Sequence, residues 1–231
     1  MLPLFDNVPT RRFPVVTVSL IAANFAVWLW ELGGRNERVA HYAFYPCAVH
    51  GPCTGEAAGH LQWTEGVLTS MFMHASWLHI LVNMLFLWIF GNNVEDALGR
   101  VRYVLFYLGA GFIAALTQAA VTILVSGAGA ASVPTIGASG AIAGVLGAYI
   151  VILPRALVVT LLFGFLPIPI PAIIVLGFWF VYQLFDGGAS LTQPQAGGGV
   201  ALFAHVGGFV FGLLTVKLLQ VRAPLKPGHR R

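Results

Sequence analysis

The chain has 231 residues, of which 58% are of the types AVILMFWYC and only 9% are charged, and its mean hydropathy is +0.84. A soluble globular domain carries about 25% charged residues, so this composition leaves almost no room for an ordinary soluble enzyme or a disordered chain. The net charge of +4 comes from basic residues scattered at segment ends, not gathered in a stripe. That pattern speaks against nucleic-acid binding and for orientation in a lipid bilayer.

A bilayer core about 30 Å thick takes roughly 20 apolar residues per helix. Six stretches meet or approach that length: about Phe13 to Leu32, Gly66 to Phe90, Tyr103 to Val125, Gly137 to just before Pro154, Ile168 to Phe185, and Val200 to Leu219. The expected fold is all-α, a polytopic bundle of six transmembrane helices. The first stretch is longer than the roughly 7–15 residues of a signal-peptide core and has no clear small-x-small cleavage site after it. It reads as an anchor behind Arg11 and Arg12.

With six spans, the termini share a side. That side holds every one of the 12 Lys and Arg residues except Arg35 and Arg38. Basic residues gather on the cytoplasmic face, so both termini are expected there, in a cell's inner (plasma) membrane. The expected layout is one domain over 1–231, with a core at 66–220, cytoplasmic tails at 1–12 and 221–231, and a long outer loop at 33–65. The segments Ser126–Ile136 and Asp186–Gly199 are expected to be outward loops. The Gly-rich patch Ala196–Val200 lacks the Lys and the Gly-x-Gly-x-x-Gly turn of a phosphate cradle.

The outer loop carries Cys47 and Cys53. On that side a disulfide is permitted, and two free thiols under an interfacial loop are the alternative. His41, His50 and His60 share the loop and read as solvated or interfacial side chains, not as a metal site. Tyr42, Phe44, Tyr45, Trp63 and Phe72 suit an aromatic belt at the membrane surface. No metal and no cofactor are expected.

Polar side chains inside a span are functional candidates, because hydrocarbon offers them no partners. They are few here: Asn24, His74, His79, Asn83, Gln118, Ser139, Gln183 and His205. No carboxylate is expected within a span, which argues against a proton or ion pathway. His79 and Asn83 stand four apart and share a helix face, either as a hydrogen-bonding pair between helices or as two donors for a developing negative charge. His74, five before His79, points about 140° away on a continuous helix, which argues against one metal held by both. It is an interfacial structural residue or part of the site's lining.

From Ser139 to Leu153 the helix is about 22 Å long, roughly 8 Å short of the bilayer core. Leu153 precedes Pro154 and Arg155, which mark the cytoplasmic edge. Ser139 is therefore expected below the outer surface, at the start of a short fourth helix. A helix N-terminus presents unpaired N–H groups and partial positive charge, which an oxyanion site needs. A serine nucleophile also needs a base, and His205 is the candidate. Gly140, Gly144 and Gly147 after Ser139, and Gly208 and Gly212 after His205, form small-residue seams that let two helices approach closely. Asp186 is a conceivable orienter for the histidine but reads better as a loop charge.

The run Gly137-Ala138-Ser139-Gly140, the helix His79-x-x-x-Asn83 and the run Ala204-His205-x-Gly207-Gly208 together resemble the rhomboid family of intramembrane serine proteases, in its bacterial six-span form. The resemblance covers roughly Thr69 to Leu219. It implies Ser139 as nucleophile and His205 as general base and then acid. It implies an oxyanion hole from His79, Asn83 and the Ser139 backbone N–H, with Gly137 in the loop that lines it; Gly140 and His74 are further expected to line the site. The implied substrates are single-span membrane proteins cut near the outer face, and the implied partners are those proteins and the lipid bilayer, with no nucleic acid. By analogy the fifth span would be the gate, loosened by Pro167, Pro169 and Pro171. Two features depart from many members: no Trp-Arg pair occurs in the first outer loop, and Ala143 stands where some carry an aromatic packed on the catalytic histidine. The alternatives are a non-catalytic relative that binds membrane helices, and a transporter, channel or haem protein.

Overall fold

The structure is a computed structural model that describes residues 1–51, 53, 61–192 and 201–225, with backbone only at 126–128 and 186–192. Its long helices are α1 (Val15–Leu32), α4 (Trp77–Leu98), α5 (Arg100–Val121), α7 (Ser139–Ile152), α8 (Ala172–Thr192) and α9 (Leu202–Leu219). Three short ones, α2 (Arg35–Tyr42), α3 (Trp63–Ser70) and α6 (Gly127–Ala131), lie between them. Among the described residues, four helices are long and apolar enough to cross a membrane: Val15–Leu32, Trp77–Leu98, Arg100–Val125 and Leu202–Leu219. Ser139–Ile152 and Ala172–Phe185 are shorter apolar helices. The chain is a multi-pass helical membrane protein.

Three local expectations are corrected. The second stretch is not one helix from Gly66 to Phe90. It breaks at residues 71–76, and α4 restarts where Ser76, in extended backbone, accepts a hydrogen bond from His79 N–H through its side chain. This is a Ser N-cap. The segment Ser126–Ile136 is a loop only from Ser132 on: a π turn at Thr122–Ser126 carries α5 into α6, which ends at Ala131. The prolines before α8 do not crowd a helix start. They lie in β3 (Leu166–Pro171), the edge of an antiparallel sheet ordered β1 (Leu2–Asp6), β2 (Leu157–Leu162), β3. Successive N–H groups on a strand point to opposite sides. Prolines at every second position therefore all face the open edge, while Ile168 and Ile170 keep their donors for β2.

The carboxylates also differ from expectation. Glu31, Glu95 and Asp96 are buried in the last turns of α1 and α4. Glu95 accepts from Val16 N–H, Thr17 N–H and the Thr17 hydroxyl, and so caps the start of α1 from a neighbouring helix. Asp96 pairs with Arg11 at 3.0 Å. Asp6 of β1 accepts from Asn93 Nδ2 and from the Tyr149 hydroxyl. Burial pushes the Asp6 carboxyl above its ordinary range, against the hydrogen bonds from Tyr149 and Val8 that favour the charged form. Glu95, Asp96 and Asp6 form a polar base at the helix ends away from Ser139, each with a donor, as burial requires, whereas Glu31 lies at the other end and accepts from the His74 N–H at 3.1 Å.

One turn needs glycine outright. Gly99 alone separates α4 from α5, with φ 76°, and its N–H closes on the Glu95 carbonyl at 2.8 Å. A side chain in that left-handed conformation is strained.

The centre of the bundle is the contact of α7 with α9. A methyl built on Gly208 would run into the Gly140 carbonyl, one on Gly212 into the Gly144 carbonyl, and one on Gly147 into the Phe209 carbonyl. The two backbones touch as the spacing predicts, and α5 closes the third side, where a methyl on Gly144 would meet Ala110.

Candidate active site

α7 begins at Ser139, so the hydroxyl sits on the first helical turn. The approach to it is held by other parts of the chain. Phe44 and Thr135 exchange backbone hydrogen bonds, and Gly137 N–H donates to the Ser70 carbonyl at 2.9 Å. Irregular backbone at membrane depth needs such protein partners. Gly137 has φ 133°, and a side chain there would stand 3.2 Å from His79 Nε2 and 3.5 Å from Ser139 Oγ. Glycine thus lets the loop pass between these two groups.

α9 begins nearby because Gln118 of α5 accepts from the N–H groups of Phe203 and Ala204, at 3.1 and 3.2 Å. That places His205 at the same level as Ser139, across the glycine seam. His205 Nε2 lies 2.8 Å from Ser139 Oγ, and His205 Nδ1 lies 3.1 Å from Gln183 Oε1 of α8. Trp179, one turn before Gln183, packs beside the His205 ring with centroids 5.7 Å apart. It occupies the role left open by Ala143, from a different helix.

The third face comes from α4. His79 Nδ1 accepts from Ala75 N–H at 3.1 Å. A neutral ring accepting at Nδ1 carries its proton at Nε2, the nitrogen nearest Gly137. Asn83 is buried, and its Nδ2 has no hydrogen-bond partner. An orphaned buried donor is costly, so its retention calls for an acceptor that arrives from outside. Ser139, His205, His79, Asn83, Gln183 and Trp179 line one cavity of about 450 Å³. Apart from Ser76 the rest of its lining is apolar, with Phe86, Ile142 and Leu146 on its walls.

The structure therefore brings together His79, Asn83, Ser139 and His205, with Gly137 against both His79 and Ser139. Gly140 lies behind the serine in the helix seam. His74 is fully buried at the site's edge. Its ring meets His79 edge-on at 5.0 Å, because the break at 71–76 abolishes the continuous-helix geometry that would separate them. Burial above all, then His79, pushes the His74 imidazole down to about 3, against the Phe72 carbonyl. Among the described residues no cluster of three His, Cys, Asp or Glu could hold a metal. Gln183 is the residue whose part in the site sequence reasoning missed. Its signal was a lone amide in an apolar helix, one turn after a tryptophan. Asn24 and Gln118 lie elsewhere: Asn24 donates to the Leu20 carbonyl, and Gln118 caps α9. The Asp186 side chain, His60 and the patch Ala196–Val200 lie outside what the structure describes.

Cys47 and Cys53 are joined by a disulfide, their Cα atoms 5.5 Å apart. The missing Trp-Arg dipeptide has a counterpart in space. The Arg35 guanidinium sits 5.2 Å over the Trp28 ring and donates to the carbonyls of His74 and Ala75. It pins the segment that carries His79's partner, Ala75.

Residues 60–222 match the Rhomboid domain family. Over 156 residues the chain is 32% identical to "Rhomboid protein 1, mitochondrial" of Saccharomyces cerevisiae, covering 64% of this chain and 40% of that one. It is 29% identical over 140 residues to "Putative rhomboid protease YdcA" of Bacillus subtilis, covering 61% and 63%. It is 29% identical over 206 residues to "Presenilin-associated rhomboid-like protein, mitochondrial" of Rattus norvegicus, covering 84% and 46%. The chain thus spans between 40% and 63% of the length of these relatives. With the domain match extending over more than half of its residues, the chain belongs to the rhomboid family.

Proposed function

We propose that this protein is an intramembrane serine endopeptidase that cuts single-span membrane proteins near the outer face of the bilayer. The observation that carries the reading is the 2.8 Å contact of Ser139 Oγ with His205 Nε2, in a cavity that also holds the unpartnered Asn83 amide. His205 takes the hydroxyl proton as Ser139 attacks the scissile carbonyl. A positioned base of this kind contributes about 10²–10⁴-fold. Negative charge on the carbonyl oxygen meets Asn83 Nδ2, His79 Nε2–H and the Ser139 N–H. Each such donor contributes about 10²–10³-fold. His205 then protonates the leaving amine, and water, deprotonated by the same ring, releases the acyl group.

The membrane frame that suits this chemistry has six crossings, by α1, α4, α5, α7, α8 and α9. Both termini are cytoplasmic, and Ser139 lies below the outer surface of a plasma membrane. The shortness of α7, 14 residues, supports that depth. The reading is tested with a model transmembrane substrate in proteoliposomes. Ser139→Ala and His205→Ala should each abolish cleavage, and undiminished cleavage by Ser139→Ala overturns it.

A further inference from the structure

His205 has both ring nitrogens engaged, and only one of them can hold the proton of a neutral imidazole. To serve as base, the ring must accept at Nε2, so the proton belongs on Nδ1. The partner at Nδ1 decides this. That partner is the carbonyl oxygen of Gln183, at 3.1 Å, and a carbonyl can only accept. Gln183 and His205 are both buried, 7% and 8% exposed, so water has little access to replace the bond. We infer that Gln183 is a positioning residue for His205, fixing the ring's proton on Nδ1 and its lone pair toward Ser139.

Two observations converge on it. Trp179 and Gln183 are four apart on α8, so the helix presents both an indole, tilted 40° to the imidazole plane, and an amide at Nδ1 to the same ring. Together they fix both tilt and tautomer. Both ring nitrogens of His205 are taken, by Ser139 and Gln183, and among the described side chains no Asp or Glu is hydrogen-bonded to it. A neutral amide also suits its place. The ring becomes a cation only transiently, and a permanent carboxylate in an apolar helix would need its own compensation in the resting state.

The inference rests on the protease reading, and its test separates the two. Steady-state cleavage and the rate of fluorophosphonate labelling are measured for the full chain in proteoliposomes. Gln183→Leu should lower kcat and the labelling rate together by about tenfold to a hundredfold, with KM within roughly twofold, since general-base efficiency and not substrate binding is lost. Gln183→Glu, which keeps an acceptor oxygen, should recover most of the loss. Wild-type rates in Gln183→Leu, or equal losses in both variants, overturn the assignment while leaving the protease reading intact. A wild type with neither cleavage nor labelling overturns the protease reading itself. A readout that needs no Gln183 variant is the histidine ¹⁵N spectrum of the wild type, with the His205 signal identified by its loss in His205→Gln. An Nδ1-protonated ring is expected, and an Nε2-protonated one contradicts the inference.

Discussion

Single polar side chains make up the candidate site, and most of them were legible because the surrounding sequence is so apolar. His79, Asn83, Ser139 and His205 stand out wherever hydrocarbon surrounds them. Gln183 stood out equally, but its role depends on how α8 is rotated against α9, which hydropathy does not record. On the proposed mechanism Asn83→Ala should lower kcat by about 10²–10³-fold with little change in KM, because the amide would meet an oxygen that is negative only in the transition state. Steady-state kinetics in proteoliposomes check this. His74 has a different signature. Its imidazole is held neutral, at about 3 against 6.5 when free. The unfolded chain therefore binds a proton that the folded one refuses. The stability due to this group is complete above its free value and is lost as the pH falls toward the folded one. The melting temperature in detergent should drop more for the wild type than for His74→Asn on going from about pH 7.5 to about pH 5. Equal drops would show that His74 does not titrate across the unfolding transition.

Elements were legible to the degree that their sequence signals are local. The glycines of α7 and α9 announced a close approach, and the structure seats carbonyl oxygens where their side chains would be. Gly208→Val should lower the melting temperature markedly. Overpacking costs about 1–3 kcal/mol even where side chains can yield, and here the obstacle is the Gly140 carbonyl. Thermal unfolding followed by circular dichroism measures it. The same substitution at Gly164, in the open turn between β2 and β3, meets nothing within 4 Å, although its φ of 84° adds strain. It should cost less. The hairpin itself was not legible, because three prolines next to an apolar run read as a helix boundary. Only the partner strands reveal that their period of two spares the ladder. The break at residues 71–76 was hidden for a related reason. Met71, Phe72 and Met73 are as apolar as a helix interior, and the restart depends on the Ser76 cap, a single side chain.

Across the whole molecule, charge placement is the basis of the proposed orientation, and the fold adds a chemical consequence. The Cys47–Cys53 bridge lies in the segment between α1 and α4. If that segment faces the oxidising side of the membrane, the bridge persists in cells. Peptide mapping without reductant should find the two cysteines linked, and impermeant thiol reagents applied outside should reach them only after reduction. Labelling from the cytoplasmic side would reverse the proposed topology. The buried carboxylates of α1 and α4 escaped the hydropathy reading because they sit in last turns, where a 20-residue window dilutes them. Glu95 and Asp96 hold the start of α1 and Arg11 at one end of the bundle, and Glu31 holds the His74 N–H at the other.

The most direct test of the central claim is mass spectrometry of the purified protein after treatment with a serine-reactive fluorophosphonate. A single covalent adduct on the peptide containing Ser139, absent in His205→Ala, is the expected result. An unmodified Ser139 in folded wild-type protein, or labelling that persists without His205, would contradict the assignment of Ser139 and His205 as a nucleophile and its base.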